Sequence, residues 1–390
     1  MNLCSVEQCD SCMACKNICP FDAIEIKVNA IGAIQPAIIQ DKCKECGLCQ
    51  AVCPEKTQPQ FRYPEKAIAL YAKSLHDRKT CASGGAATTF SRYMVSQGGC
   101  VFGATSMGGY PHYVMVDSPE RLELLKGSKY VYSDPLLIYK QIKEKLKEGR
   151  KCLFIGTPCH VAGLLGFLRK DYENLVTIDL ICHGTPPFLY LKEHIEAQVG
   201  DYSNVDNITF RGLNDFYLTV YDKNKKVIYK RSQYEDPYFM SFMRGIMFRP
   251  VCYDCQFARN ERVSDITIGD FWNISKDALD GYKGKISLAL LNTSKGVEYF
   301  GSCSNLFEYQ ERMVTEAIKG NDQLRHPSKR SQEQLVFKAQ YKDCKSVKKT
   351  FERLGMIHKA KINRLKNRIL YVPRLIKAFI KNKRYDKNSF

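Results

Sequence analysis

The sequence lacks a segment able to cross a bilayer. Its longest stretch free of Asp, Glu, Lys and Arg runs from Tyr93 to Val116 and holds Gln97, Gly98, Gly99, Gly103, Gly108, Gly109, Pro111 and His112. A membrane helix needs roughly 20 predominantly apolar residues, so this stretch reads as strand and loop broken by glycine. The beginning, Met1-Asn2-Leu3-Cys4-Ser5, has neither the basic region nor the apolar core of a secretory signal. A cytoplasmic chain with reduced thiols is therefore expected. Residues 1–60 contain no arginine; their five lysines face seven acids, a net charge of −2.

Cysteine is abundant. There are 18 among 390 residues, a density that marks either disulfide-rich secreted domains or intracellular metal sites. With reduced thiols, metal is the better account. Apolar residues at 44% and charged ones at 26% exclude a disordered chain. The net charge is +18, but residues 341–390 hold 16 Lys/Arg against 3 Asp/Glu, or +13. The middle, 61–340, keeps +7, so the basic character belongs mostly to the tail.

Two cysteine runs share one spacing. The first is Cys9-x-x-Cys12-x-x-Cys15-x-x-x-Cys19-Pro20 and the second Cys43-x-x-Cys46-x-x-Cys49-x-x-x-Cys53-Pro54. This repeat is the bacterial two-cluster ferredoxin pattern, in which the fourth cysteine of each run reaches the other cluster. The expected ligands are Cys9, Cys12, Cys15 and Cys53 for one [4Fe-4S] cluster and Cys43, Cys46, Cys49 and Cys19 for the other. Zinc ribbons use paired CxxC motifs rather than triple runs. Phe21 to Ile26 reads as a turn into a strand, with Gly32 to Pro36 as the returning arm of a hairpin. Cys4 is expected to be an unliganded thiol. The predicted fold is an α+β dicluster ferredoxin domain over 1–62, followed by an α/β domain over 63–340. That second domain has an N-terminal part over about 72–150 and a C-terminal part over about 151–330.

Three strand–loop–helix units in the second domain carry chemistry. Ser83-Gly84-Gly85 precedes a helical run from Ala86 to Ser96. Glycines at a helix start let backbone N–H groups approach a phosphate, although a plain Ser83 cap accounts for them equally. Strand Lys151–Gly156 leads through Thr157-Pro158-Cys159 into a helix, and strand Leu175–Ile181 leads to Cys182-His183-Gly184. These two strands are expected to be parallel, with Cys159 and Cys182 past their carboxyl ends, where ligands bind in open α/β sheets. Cys252-x-x-Cys255 follows. The four cysteines suit a third cluster, a zinc site, or a structural pair with two unrelated core thiols.

Gly127-Ser128-Lys129-Tyr130-Val131, Gly156-Thr157-Pro158-Cys159, Asp179-Leu180-Ile181-Cys182-His183-Gly184 and Asp265 to Trp272 (DITIGDFW) resemble motifs of the family of coenzyme F420-reducing hydrogenase beta subunits. Its relatives include the beta subunits of formate dehydrogenases and the chlorophyll-cycle reductases. The resemblance runs from about Ser74 to Ser294. It implies an α/β flavin and iron–sulfur domain, with FAD and a third [4Fe-4S] cluster on Cys159, Cys182, Cys252 and Cys255. It makes Ser83, Gly84 and Gly85 flavin-phosphate contacts, and Lys129, Thr157 and His183 flavin-pocket residues. The expectation is an oxidoreductase taking electrons from a low-potential donor or redox partner protein, through the clusters to a flavin. The flavin would act on a small-molecule or glycan-precursor substrate, as in stand-alone members that resemble surface-polysaccharide tailoring enzymes. The rival reading is a non-catalytic electron-transfer subunit of a larger complex. A zinc-dependent nucleic-acid binder is the remaining rival, but no nucleic-acid reading motif is found.

In the tail, Val347, Phe351, Leu354, Ile357, Leu365 and Ile369 fall on one helical face opposite Lys348, Lys349, Arg353, Lys359, Arg364, Lys366 and Arg368. Pro373 breaks the pattern before Leu375 to Ile380. Two readings stand: a helix packed on the body, and a peripheral contact with an anionic membrane surface.

Overall fold

The structure is a computed structural model describing residues 3–211, 216–367 and 369. Near the N-terminus, β1 (Ile24–Val28) and β2 (Ile34–Ile38) form the expected hairpin, with Ile24 opposite Ile38. The body is a mixed eight-stranded sheet built from β3 (Lys66–Ala72), β4 (Cys100–Thr105), β5 (His112–Val116), β6 (Cys152–Gly156), β7 (Leu175–Leu180), β11 (Ile266–Asp270), β12 (Ser287–Leu291) and β13 (Phe307–Arg312). A separate antiparallel sheet holds β8 (Val205–Thr209), β9 (Tyr217–Asp222) and β10 (Val227–Ser232).

The large sheet has the order β13-β3-β12-β11-β7-β6-β4-β5. Its centre, β4, β6, β7 and β11, is parallel, and the strands on both flanks are antiparallel. Residues of β12 are buried throughout, and those of β6 and β7 nearly so. Strands covered on both faces read as apolar runs rather than alternations, which is why 152–156 and 175–180 stand out in the sequence. Helix Ala86–Ser96 lies where its pattern places it.

The dicluster domain packs on helix Pro158–Leu168. A methyl on Gly163 would lie 2.9 Å from the Cys12 sulfur, and one on Gly166 would lie 2.7 Å from the Val52 carbonyl oxygen. Glycine at these two positions lets the helix approach the iron–sulfur domain closely.

The tail differs from a single helix. Helix Val347–Arg353 ends at Leu354, Gly355 takes a left-handed φ of 66°, and residues 356–367 are helical again. Val347, Phe351, Met356 and Ala360 are buried in the core that also holds Ile208, Phe239 and Phe337. Leu365 and Ile369 are exposed. Arg364 donates to the carbonyl of Glu235, and Asn363 to that of Tyr234. Residues 347–360 thus belong to the body's packing. Arg368, the break at Pro373 and the run Leu375 to Ile380 lie outside the described residues. Among the described residues, no helix is long and apolar enough to cross a membrane.

Candidate iron–sulfur centres and adjoining cavity

The repeat in sequence is a repeat in backbone. Ser11 and Met13 have φ of 52° and 62°, and the equivalent Glu45 and Gly47 have 51° and 76°. Left-handed turns between the cysteines fold each run around a centre and point backbone N–H groups inward. The N–H of Ser11 lies 3.4 Å from the Cys9 sulfur. One cavity is lined by Cys9, Cys12, Cys15 and Cys53, with Cys4 and Cys49 also in its wall. A second is lined by Cys19, Cys43, Cys46 and Cys49. Each fourth cysteine lies with the opposite run, as the spacing requires. Met13, Pro36 and Pro54 close the first cavity, and Phe21, Ile24, Ile38 and Leu48 the second. Two adjoining cysteine-lined cavities with apolar surroundings fit two [4Fe-4S] clusters.

A larger cavity of about 330 Å³ opens at the carboxyl edge of the parallel strands. Cys159 stands on the first turn of helix Pro158–Leu168, directly after β6, and Cys182 follows β7. Cys252 lies in the turn Pro250–Tyr253, and Cys255 comes just after it. All four line this cavity. Arg262 ties β7, β11 and the loop after Cys255 together. Its guanidinium meets the Asp179 carboxylate of β7 at 2.9 Å, the Thr267 hydroxyl of β11 at 3.1 Å and the Phe257 carbonyl beyond Cys255 at 2.8 Å. The CxxC loop is thereby held over the end of β7. Burial pushes the Cys182 thiol up to about 11, and raises Cys159 and Cys255 as well. A buried thiol ionises when a cation replaces its proton. Four cysteines lining one cavity are the donor type that an iron–sulfur centre uses.

Arg249 links the two regions. It is buried, with Nη1 donating to the Asp10 carbonyl at 2.5 Å and Nε to the Thr185 hydroxyl at 3.2 Å. Its guanidinium lies 4.8 Å from the centre of the Tyr132 ring. Burial opposes its charge, but the sulfurs of Cys252 and Cys159 outweigh that and hold it protonated. Asp10 lines both the Cys9 cavity and the larger one, while Cys49 lines both dicluster cavities. The three cysteine-lined cavities therefore stand in series.

Of the other residues expected at the site, Ser83, Gly85, Lys129, Thr157 and His183 line the large cavity. Gly84 does not. A methyl there would lie 2.7 Å from the Leu70 carbonyl oxygen and 2.8 Å from the Ser287 nitrogen, so the position demands glycine for close backbone packing. Gly85 has a φ of 93° and starts helix Ala86–Ser96. Lys129 donates to the carbonyls of Leu125, Lys126 and Gly127 at 2.9–3.1 Å, and burial lowers its pKa to about 7. Burial also lowers His183. Sequence reasoning passed over Arg249, Arg262, Asp10 and His160. His160 is buried on the cavity wall. Its Nδ1 lies 2.9 Å from the Tyr113 hydroxyl, and its Nε2 has no hydrogen-bond partner. Burial lowers it to about 3. The one local signal for Arg249 was an arginine closing the apolar run Ile246-Met247-Phe248, three residues before the CxxC.

Residues 149–316 match the family described as the C terminus of the coenzyme F420 hydrogenase/dehydrogenase beta subunit, and residues 8–57 match the 4Fe-4S dicluster domain. A curated relative, the F subunit of F(420)H(2) dehydrogenase from Methanosarcina mazei, is 23% identical over 188 residues, covering 45% of this chain and 53% of that protein. The chain thus spans about half the length of that relative. A solved chain from the F420-reducing [NiFe] hydrogenase complex of Methanosarcina barkeri aligns at 17% identity and a TM-score of 0.45, covering 75% of this chain and 92% of its own. The chain thus joins a segment that matches the 4Fe-4S dicluster domain to one that matches the C terminus of the coenzyme F420 hydrogenase/dehydrogenase beta subunit.

Proposed function

We propose that the chain is an iron–sulfur electron-transfer subunit of a larger redox complex, the first of the two rival readings that the sequence left beside a self-sufficient oxidoreductase. The observation that carries it is the serial arrangement of three cysteine-lined cavities, joined through Cys49 and Asp10. Iron–sulfur clusters held there supply one-electron transfer. The chain's residues do the remaining work. Twelve cysteines hold the centres, and apolar side chains keep water from them. Arg249 sets a positive charge between the inner dicluster cavity and Cys159, Cys182 and Cys252. Cys46, at the outer end, is exposed, which suits contact with a partner protein.

The finer reading places FAD in the large cavity beyond the four cysteines. Two helices, Ala86–Ser96 and Pro158–Leu168, start at its wall, and their free N–H groups suit a phosphate. Ser83, Gly85, Lys129, Thr157 and His183 would contact the cofactor. A bound flavin pairs single electrons for two-electron chemistry. The electron-transfer reading predicts that the purified, reconstituted chain is reduced stoichiometrically by a strong reductant but turns over only when a partner protein is added. Sustained turnover of a small organic substrate by the isolated chain would replace it with the self-sufficient enzyme.

A further inference from the structure

Six cysteines line the inner dicluster cavity; Cys49 also lines the outer one with its own run, which leaves five where four ligands would suffice. The extra one is Cys4, whose sulfur lies 3.2 Å from that of Cys53. The ferredoxin spacing assigns it no role. Its position is nonetheless held. Gln35 Nε2 donates to the Cys4 carbonyl at 3.2 Å, and the turn from Ser5 to Cys9, closed by the Cys9 N–H to the Ser5 carbonyl at 3.0 Å, ties it to the first ligand of the run. Asp10, buried in the same wall, has one carboxylate oxygen without a partner.

Cys4 and Cys53 approach the cavity from opposite ends of the domain sequence. Cys53 comes from the second run, across the pseudo-repeat, and Cys4 from the N-terminal turn. Cys12 and Cys15, by contrast, are fixed beside and in helix Ala14–Ile18. If the Cys53 sulfur is removed, the Cys4 sulfur reaches its place by moving no farther than the 3.2 Å between them. Residues 3–9 belong to no helix or strand, so such a shift breaks no ladder.

We propose that Cys4 is a reserve ligand of the inner dicluster site, able to take the coordination position of Cys53. The exchange moves no electrons. The Cys4 thiol loses its proton as its sulfur binds iron, and the departing Cys53 thiolate takes one up.

The test compares full-length wild type, C4A, C53A, C4A/C53A and C12A, each reconstituted anaerobically. Iron, acid-labile sulfide and low-temperature EPR of the reduced protein are the readouts. C4A and C53A are expected to keep the full complement, while C4A/C53A and C12A each lose one cluster's worth. In C53A the inner cluster's EPR line shape shifts, as its fourth sulfur comes from a different residue. If C53A loses as much iron as C4A/C53A, or keeps only an iron-deficient cluster, the proposal fails. Should C53A not accumulate, iron release from C4A and wild type to a chelator decides. Severalfold faster release from C4A supports the reserve ligand, and equal rates overturn it.

Discussion

Arg249 donates a hydrogen bond to the backbone carbonyl of Asp10 at 2.5 Å, so a buried cation of the α/β body seats directly on the cysteine run of the dicluster domain. Asp10 immediately follows Cys9, and Cys252 lies three residues after Arg249. The arginine thus serves as mechanical joint and electrostatic element at once.

Removing that charge should lower the midpoint potentials of the centres on both sides, since a nearby cation favours the more negative, reduced form. A unit charge at about 7–14 Å in an effective dielectric of about 20 is worth roughly 1–2.5 kcal/mol, or roughly 50–100 mV. Arg249→Met is expected to show a downward shift of that order in an EPR-monitored redox titration, with Arg249→Lys shifting less. Unchanged potentials would limit Arg249 to a packing role.

Gly166 offers a test of the domain contact alone. A methyl there already meets the Val52 carbonyl oxygen at 2.7 Å, so Gly166→Val must push the domains apart. Overpacking of this kind costs about 1–3 kcal/mol or more. The variant should keep the iron of its cysteine sets yet pass electrons from the dicluster centres to the body more slowly, as read by stopped-flow absorbance. Wild-type rates would show that the joint tolerates separation.

The dicluster domain was legible in the sequence because its ligand geometry is written in local spacing, down to the repeated left-handed turns at Ser11 and Glu45. The β6 and β7 strands, and Cys159 and Cys182 at their ends, were legible because strands covered on both faces leave unbroken apolar runs. The antiparallel flank, where β3 sits between β12 and β13, was not, since pairings across more than 200 residues leave no local mark. Arg249 and Arg262 were missed for the same reason: their meaning lies in partners distant in the chain. Gly84 suggested a phosphate cradle, but its constraint comes from the Leu70 and Ser287 backbone. Periodicity found the tail helix without revealing what covers it.

That covering leads to a prediction. Ending the chain at Gln340 removes Val347, Phe351, Met356 and Ala360, each no more than 3% exposed. Loss of a buried phenylalanine side chain alone costs about 3–5 kcal/mol. Truncation at 340 should therefore lower the thermal midpoint sharply. Equal midpoints would show that the tail contributes nothing to the core.

Lys129 gives the large cavity a pH signature. Burial lowers its pKa from 10.5 to about 7. Between those values the unfolded chain binds more protons than the folded one, so stability rises with pH. Below about 7 both states are protonated and the cost of burying the charge is carried in full. Denaturant titrations from pH 6 to 9 should show this rise in wild type and its loss in Lys129→Met. Parallel pH profiles would show that the three carbonyls hold the ammonium against burial.

The central claim is that twelve cysteines form three ligand sets in series. Iron and acid-labile sulfide analysis of anaerobically reconstituted wild type and Cys255→Ser tests it most directly. Three four-iron clusters require about 12 iron and about 12 sulfide per chain, falling to about 8 of each in the variant while the dicluster EPR signals persist. A wild type that saturates at about 8 iron, a variant that loses none, or stoichiometric zinc in place of the missing iron would contradict the account.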